Sequence, residues 1–338
     1  VRLGQVLEGR LKDAGRALAT FESVLEHEPL HRDALEAVAR IAESRADYAR
    51  TELALVKLVE VAVPDEAKAF ALRLADVRLK LDQLDGVEEA LKQAIALVPP
   101  GRDVRPRLLS AFERRKKWPE LAALLAEEAD LARADGSPTA DAEAVKLLRR
   151  AAEIHITERS APADAIPVLE KATELMPEDR ELLLLLCDAY TASGREQDAT
   201  VVLERIIASF GTKRTKELSV YHHKLGNALA QLGNKDVAIA QLDLAFKIDP
   251  GSVSVLRDLG VLALDTGDLE RAQKTFRALL LQRLDGTSGI SKGEVFFYLG
   301  DISHRQGDAA KAKQMLERAL ENEPELERAK ALLETLKA

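Results

Sequence analysis

One arrangement of residues occurs three times between Ser219 and Pro324, and it restricts what this 338-residue chain can fold into. Each copy has a Leu-Gly pair, then a second glycine beside an Asn or Asp, then an alanine and further apolar residues. The copies contain Leu225, Gly226, Gly233, Asn234, Ala238, Leu242, Ala245 and Pro250, then Leu259, Gly260, Gly267, Asp268, Ala272 and Phe276, then Leu299, Gly300, Gly307, Asp308, Ala312, Leu316, Ala319 and Pro324. Gly226 and Gly260 are 34 residues apart, a period that predicts stacked helical hairpins.

Each copy predicts two amphipathic helices, because apolar residues recur at steps of three and four on both sides of the Gly-Asx break. The glycine of the break is expected to adopt a left-handed conformation, and the Asx residue to cap the second helix. The earlier glycine falls inside the first helix, where it costs about 1 kcal/mol relative to alanine. We therefore expect close packing against the facing helix at Gly226, Gly260 and Gly300.

These residues resemble the tetratricopeptide repeat (TPR) family, whose units place Leu-Gly early in their first helix, Ala at the start of the second and Pro after it. The middle copy departs from this pattern, since Leu284 stands in place of the proline. The tryptophan expected early in the first helix is replaced by His222, Leu256 and Phe296. The chain thus resembles a multi-repeat TPR protein of bacterial type. This resemblance implies an all-α fold: an α-solenoid in which TPR-like hairpins form a right-handed superhelix with a C-terminal capping helix.

Weaker copies of the pattern extend towards the N-terminus, giving about nine hairpins in all. We expect degenerate TPR-like repeats over residues 1–136, regular repeats continuous with them over 137–324, and a capping helix over 325–338. The turn-forming residues 135–139 predict either a flexible joint or a longer loop between repeats. The connections at 211–217 and 285–293 are longer than the repeat requires, and are expected to be solvated loops or ligand contacts.

The composition suits long helices, with 46% hydrophobic, 31% charged and only 4% aromatic residues. The formal charge of -8 disfavours nucleic acid as a general partner. The basic run from Arg114 to Trp118 leaves two interpretations open. It is either a local patch for nucleic acid or an acidic peptide, or the cationic end of a helix.

Neither catalytic nor metal-binding patterns are found in the sequence, so we expect no cofactor and no enzyme activity. Cys187 excludes an internal disulfide because it is the one cysteine, and it is expected to be buried in the position that glycine occupies elsewhere. No phosphate-binding loop or nucleophile elbow is present. The histidines lack metal-site spacing; they are His27, His31, His155, His222, His223 and His304.

The sequence contains no signal peptide and no apolar span of membrane length. We therefore expect no membrane insertion and a cytoplasmic location. Val1 is not a natural start, so targeting signals or further domains are expected to lie outside this segment.

The first helices of TPR-like hairpins line a concave groove, which is where the resemblance implies that a partner binds. Counting two residues to either side of each Leu, with one more position a helical turn further on, predicts a mixed groove. Its predicted residues are His223, Asn227, Arg257, Val261, Phe297, Asp301 and His304. Ala230 and Leu264 are equivalent to His304 in their own repeats.

Some TPR domains hold the C-terminal carboxylate of chaperones with Lys, Asn and Arg at fixed positions. This chain departs from that pattern: of the five equivalent residues only Asn227 agrees, and Asp258 and Glu294 would repel a carboxylate. We therefore predict no such clamp.

The resemblance implies a non-catalytic scaffold or adaptor for a protein or peptide partner. A small GTPase or a component of a pilus, secretion or motility machine would be suitable partners. Two alternatives stay open: a targeting or regulatory arm of a larger enzyme or signalling protein, and a weak nucleic-acid binder acting through local basic patches.

Overall fold

The chain is all-α. The structure, a computed structural model, describes residues 1–134, 136–211, 215–284 and 289–336, and over these ranges it contains 19 α-helices and no strand. The chain forms two units, and each of them is an α-solenoid built from packed helical hairpins. By compactness the chain divides into two units, residues 1–128 and 129–338. The predicted division at residue 136 stays a prediction, and Asp135 lies outside the described residues.

The first unit contains seven complete helices and most of an eighth. Their bounds are α1 (Arg2–Gly9), α2 (Ala14–His27), α3 (Arg32–Ser44), α4 (Tyr48–Val61), α5 (Pro64–Lys80), α6 (Leu84–Leu97), α7 (Arg105–Arg114) and α8 (Trp118–Ala134), which ends in the second unit. Pro119 lies in the first turn of α8, where its missing N–H is not needed.

The second unit continues with five hairpins and a final helix. Their bounds are α9 (Ala140–Glu153), α10 (Pro162–Leu175), α11 (Arg180–Ala192), α12 (Glu196–Ser209), α13 (Lys216–Gln231), α14 (Lys235–Ile248), α15 (Val253–Asp265), α16 (Leu269–Leu279), α17 (Lys292–Arg305), α18 (Ala309–Asn322) and α19 (Glu327–Thr335). A π-helical turn, Ile154–Glu158, lengthens α9. The last helix packs against α17 and α18 through Ala329 and Leu333, as expected of a cap.

The helix glycines do mark close approaches between the two helices of a hairpin, as predicted. A Cβ atom added at these positions would lie 2.8 Å from Leu242 for Gly226, 3.0 Å from Phe276 for Gly260 and 3.0 Å from Leu316 for Gly300. Phe276 has no exposed surface. Because the glycine leaves room for this ring, the helices approach more closely than two larger side chains would allow.

The turns between paired helices all contain a left-handed residue. It is glycine in the last four hairpins, at Gly194, Gly233, Gly267 and Gly307, with φ between 71° and 82°. The first five hairpins use Lys12, Ala46, Asp82, Lys116 and Ser160 instead, with φ between 50° and 57°.

The predicted helix caps are confirmed at two positions and wrong at a third. Asp268 and Asp308 accept hydrogen bonds of 3.0 Å from the backbone N–H groups of Arg271 and Lys311. Asn234 occupies the N-cap position of α14, but its side chain makes no such bond.

Cys187 is buried, as predicted, with 1% of its surface exposed. It packs in a core with Leu183, Leu203 and Tyr221. Burial raises the pKa of its thiol to about 11. The side chain therefore behaves as a small apolar group.

The two long connections, at 211–217 and 285–293, lie partly outside the described residues, at 212–214 and 285–288, and their contact with ligand stays a prediction. After the second of them, Ser291 and Glu294 form a reciprocal capping box at the start of α17. Throughout the described ranges, no helix is both long and apolar enough to cross a membrane.

Candidate partner-binding groove

The predicted groove residues lie on three helices of the second unit. His223 and Asn227 belong to α13, Arg257 and Val261 to α15, and Phe297, Asp301 and His304 to α17. Each of these helices is the first of its hairpin, and α13 contacts α15 directly. We call the surface formed by these seven residues the groove.

Asp258 joins α13 to α15 at one end of the groove. Its Oδ2 atom lies 2.7 Å from Nε2 of His223 and accepts a 3.0 Å hydrogen bond from Nδ2 of Asn227. Its Oδ1 atom accepts a 2.7 Å hydrogen bond from Nε of Arg257. Three predicted groove residues therefore contact one carboxylate that was not predicted to hold them.

This carboxylate stays ionised at neutral pH. Burial alone would raise the pKa of Asp258, but the hydrogen bonds from His223, Arg257 and Asn227 outweigh it and lower the pKa to about 2. The negative charge of Asp258 is thus bound by side chains of the protein itself, and these contacts hold neighbouring hairpins together.

Arg257 is a less available anchor than the sequence suggested. Besides its ion pair with Asp258, its Nη1 atom lies 3.4 Å from the carbonyl oxygen of Gly289, to which it donates. About a third of the side chain, 34%, is exposed. A partner can therefore contact one side of the guanidinium, but the charge is already largely balanced.

An aromatic platform forms the other end of the groove. The ring of Phe297 is tilted against that of Tyr298, with centroids 5.4 Å apart, and Tyr298 stacks on Phe276 at 4.7 Å. The guanidinium of Arg328, from α19, lies 5.1 Å from the Phe297 centroid and pairs with Glu294 at 2.9 Å. Phe297 is thus held in place by the ring of Tyr298 and the guanidinium of Arg328.

The remaining predicted residues comprise one ion-paired side chain and two exposed ones. Asp301 pairs with Arg305 at 3.0 Å, whereas Val261 is 39% exposed and His304 is exposed. Leu264 is buried, so its side chain faces the core and the expectation that it lines the groove is wrong. Its position differs from that of His304 because an apolar side chain gains from turning into the hairpin.

The absence of a chaperone-tail clamp stays a prediction, which the contacts support. Of the positions that would hold a terminal carboxylate, His223 and Asn227 are engaged by Asp258, and Glu294 is engaged by Arg328. Tyr298 is packed between aromatic rings.

Family models described as "Tetratricopeptide repeat" match residues 157–214, 223–289 and 257–327 of the chain. Residues 157–214 and 223–327 are therefore tetratricopeptide repeats, and over this part the chain is a multi-repeat TPR protein. Repeats of this family are interaction modules, which supports a protein-interaction scaffold as the general role of this TPR protein. No curated protein sequence matches the chain.

Several solved structures are similar to part of this TPR protein. YrrB, described as a TPR protein with an unusual peptide-binding site, is 18% identical, with a TM-score of 0.45 over 55% of this chain and 90% of its own. MamA from Desulfovibrio magneticus RS-1 is 17% identical, with a TM-score of 0.46 over 54% and 96%. PilW, described as a type IV pilus biogenesis factor, is 15% identical, with a TM-score of 0.45 over 68% and 97%.

Proposed function

We propose that this TPR protein is a non-catalytic, cytoplasmic scaffold that binds a segment of a partner protein in the groove of α13, α15 and α17. The observation that carries the proposal is the aromatic platform at Phe297. An aromatic side chain that is half-buried and braced by Tyr298 and Arg328 loses little freedom on binding. Such side chains supply much of the affinity at protein interfaces.

The chemistry of the groove favours a segment of mixed polarity over an acidic tail. Asp258 is ionised and its charge is balanced by Arg257 and its other donors, so this end offers polar contacts without a free cation. Val261 and Phe297 offer apolar contacts, and His304 offers an exposed imidazole. The partner we expect therefore presents an apolar side chain between hydrogen-bonding groups.

A regulator such as a small GTPase, or a component of a pilus, secretion or motility machine, would be suitable for such a scaffold. Affinity capture from a lysate of the source organism tests the proposal, with the chain as bait and bound proteins identified by mass spectrometry. The groove variant carries Phe297→Ala and Val261→Glu, and the control carries Val201→Glu on α12, where the valine is 60% exposed.

We expect the groove variant to capture at least about tenfold less of the partner than the unmodified chain does, and the control to capture as much as the unmodified chain. Equal capture by both variants would show that binding does not use the groove. Folding of each bait is checked first by circular dichroism, so that loss of the partner is not loss of the fold.

A further inference from the structure

A second surface with its own chemistry lies within the first unit, between α5, α6 and α7. It is a cleft of about 390 Å³ whose floor is formed by Ala75, Val87 and Leu91, all buried. The cleft is open because α7 contributes the small side chains of Ser110 and Ala111 on the facing side. These are too short to reach the floor.

The sides of the cleft leave large apolar groups accessible. Leu79 on α5 is 46% exposed and Leu84 on α6 is 38% exposed, and both line the cleft. None of the lining residues is aromatic or acidic. The cleft therefore matches the shape and polarity of an aliphatic or aromatic side chain from another molecule.

Three arginines border the cleft, and they differ in whether a carboxylate balances their charge. Arg107 pairs with Asp76, and Arg115 pairs with Asp85 and, at 2.9 Å, with Glu88. The third, Arg114, is exposed.

Arg114 makes no ion pair or hydrogen bond with any side chain in the described part of the chain. This arginine begins the basic run that the sequence singled out. Its charge is therefore available to an anionic group beside the cleft.

Two other cations of the basic run, Arg115 and Lys117, are engaged in ion pairs, and Lys116 does not line the cleft, which leaves Arg114 as the accessible cation of the run that borders it. Lys117 and Arg115 both contact the Glu88 carboxylate, which also accepts from Lys92. Burial works to raise the pKa of Glu88, but the hydrogen bonds from Lys117 and Lys92 outweigh it and keep the pKa below its usual value. Arg115 and Lys117, in the turn after α7, thereby join that turn to α6.

We propose that this cleft binds an acidic segment of a partner protein, with an apolar side chain inserted against Leu79 and Leu84 and a neighbouring carboxylate paired with Arg114. The inference is independent of the groove, since all of its residues belong to the first unit. A single ligand of this kind would use both the accessible apolar cleft and the unpaired arginine beside it. Nucleic acid fits less well, because single strands bind on aromatic side chains and along rows of free cations, whereas this cleft is aliphatic and has one free arginine.

The test is selection of a displayed library of random dodecapeptides on the full chain at low salt, with counter-selection on Ser110→Trp. Ser110 is exposed, so the tryptophan fills the cleft without entering the core. We expect the enriched peptides to combine a Leu, Ile, Met or Phe with one or more adjacent Asp or Glu. Affinities of the synthetic peptides are then measured by fluorescence anisotropy.

Arg114→Glu should lower the affinity of the selected peptides at least about tenfold, whereas Arg114→Lys should largely retain it. Raised salt should weaken peptide binding to the unmodified chain. Arg16→Glu, at an exposed arginine on α2, is the charge-matched control and should leave the affinity unchanged. Phe297→Ala should also leave it unchanged, which separates this cleft from the groove.

Three outcomes would overturn the proposal: no enrichment of peptides sensitive to Ser110→Trp, enrichment of peptides without acidic residues, or affinity unaffected by Arg114→Glu. Binding of single-stranded oligothymidine that depends on Arg114, in place of peptide binding, would also overturn it. Urea unfolding of each variant shows whether it is as stable as the unmodified chain, so that a loss of affinity is not a loss of the fold.

Discussion

His223 and Asp258 are 35 residues apart in the chain, yet Nε2 of the first lies 2.7 Å from Oδ2 of the second. The distance along the chain is about one repeat, so the contact joins equivalent faces of two neighbouring hairpins. Asn227 and Arg257 reach the same carboxylate. Apolar packing is not specific for one alignment of the hairpins, whereas this cluster favours a single register because its donors would otherwise lose their acceptor.

Replacing Asp258 by Asn should lower the free energy of unfolding by about 2 kcal/mol at neutral pH. The pKa of Asp258 in the folded chain, about 2, is below the value of about 3.9 expected when unfolded. Ionised Asp258 therefore stabilises the fold above about pH 4, and this contribution is lost as the pH falls towards 2. Urea titrations at several pH values measure it.

Asp265→Asn is the control for this prediction, because Asp265 forms an exposed pair with Lys235. We expect a change within about 0.5 kcal/mol at any pH. A deficit of Asp258→Asn that does not shrink between pH 4 and pH 2 would contradict the role given to the ionised carboxylate.

Gly260→Ala should destabilise the chain by about 1 kcal/mol, although alanine is the better helix former. The new methyl would lie 3.0 Å from the buried ring of Phe276, and the strain should exceed the helix-propensity gain. Gly15→Ala in α2, where the nearest atom would be 3.7 Å away, should instead be neutral or stabilising. In a Phe276→Leu background the cost of Gly260→Ala should largely disappear, and a double-mutant cycle that shows no coupling would refute this explanation.

Ala46→Gly should stabilise the chain by about 1 kcal/mol, because Ala46 adopts a φ of 57° that glycine tolerates better. The reverse change, Gly267→Ala, should destabilise by a similar amount, since φ is 82° there and no neighbouring atom would clash. Thermal unfolding of both variants tests the pair. If the two changes shift the stability in the same direction, backbone strain is not the cause.

Cys187 should resist thiol reagents in the native protein. Burial raises the pKa of the thiol to about 11, so little thiolate forms at pH 8, and the side chain is closed off from solvent. We expect the reaction with Ellman's reagent to be at least about a hundredfold slower than in urea. Cys187→Ser gives the baseline, and similar rates with and without urea would mean that this core opens readily.

Much of the fold could be predicted from the spacing of small residues. Gly260 and Ala272 recur because two helices approach closely there, and this geometry depends only on residues within one hairpin. The burial of Cys187 could also be predicted, because it takes the position in its repeat that glycine occupies elsewhere.

The site was harder to predict because side-chain partners depend on distances between hairpins. Asp258 was interpreted as a repulsive charge, although its separation from His223 and Asn227, close to one repeat, could have suggested contact. Tyr298 and Arg328 were missed as parts of the platform for a similar reason, since Arg328 comes from the following helix. The failure at Leu264 shows that repeat position alone does not decide whether a side chain turns inwards.

The left-handed turn residues have a consequence for how far a repeat array can be recognised. All four glycine turns fall within residues matched by the family models, whereas four of the five other turns, at Lys12, Ala46, Asp82 and Lys116, fall outside them. The left-handed turn thus occurs also in hairpins that lack the residue that best accommodates it. In this chain the turn angle identifies a hairpin where the residue type at that position does not.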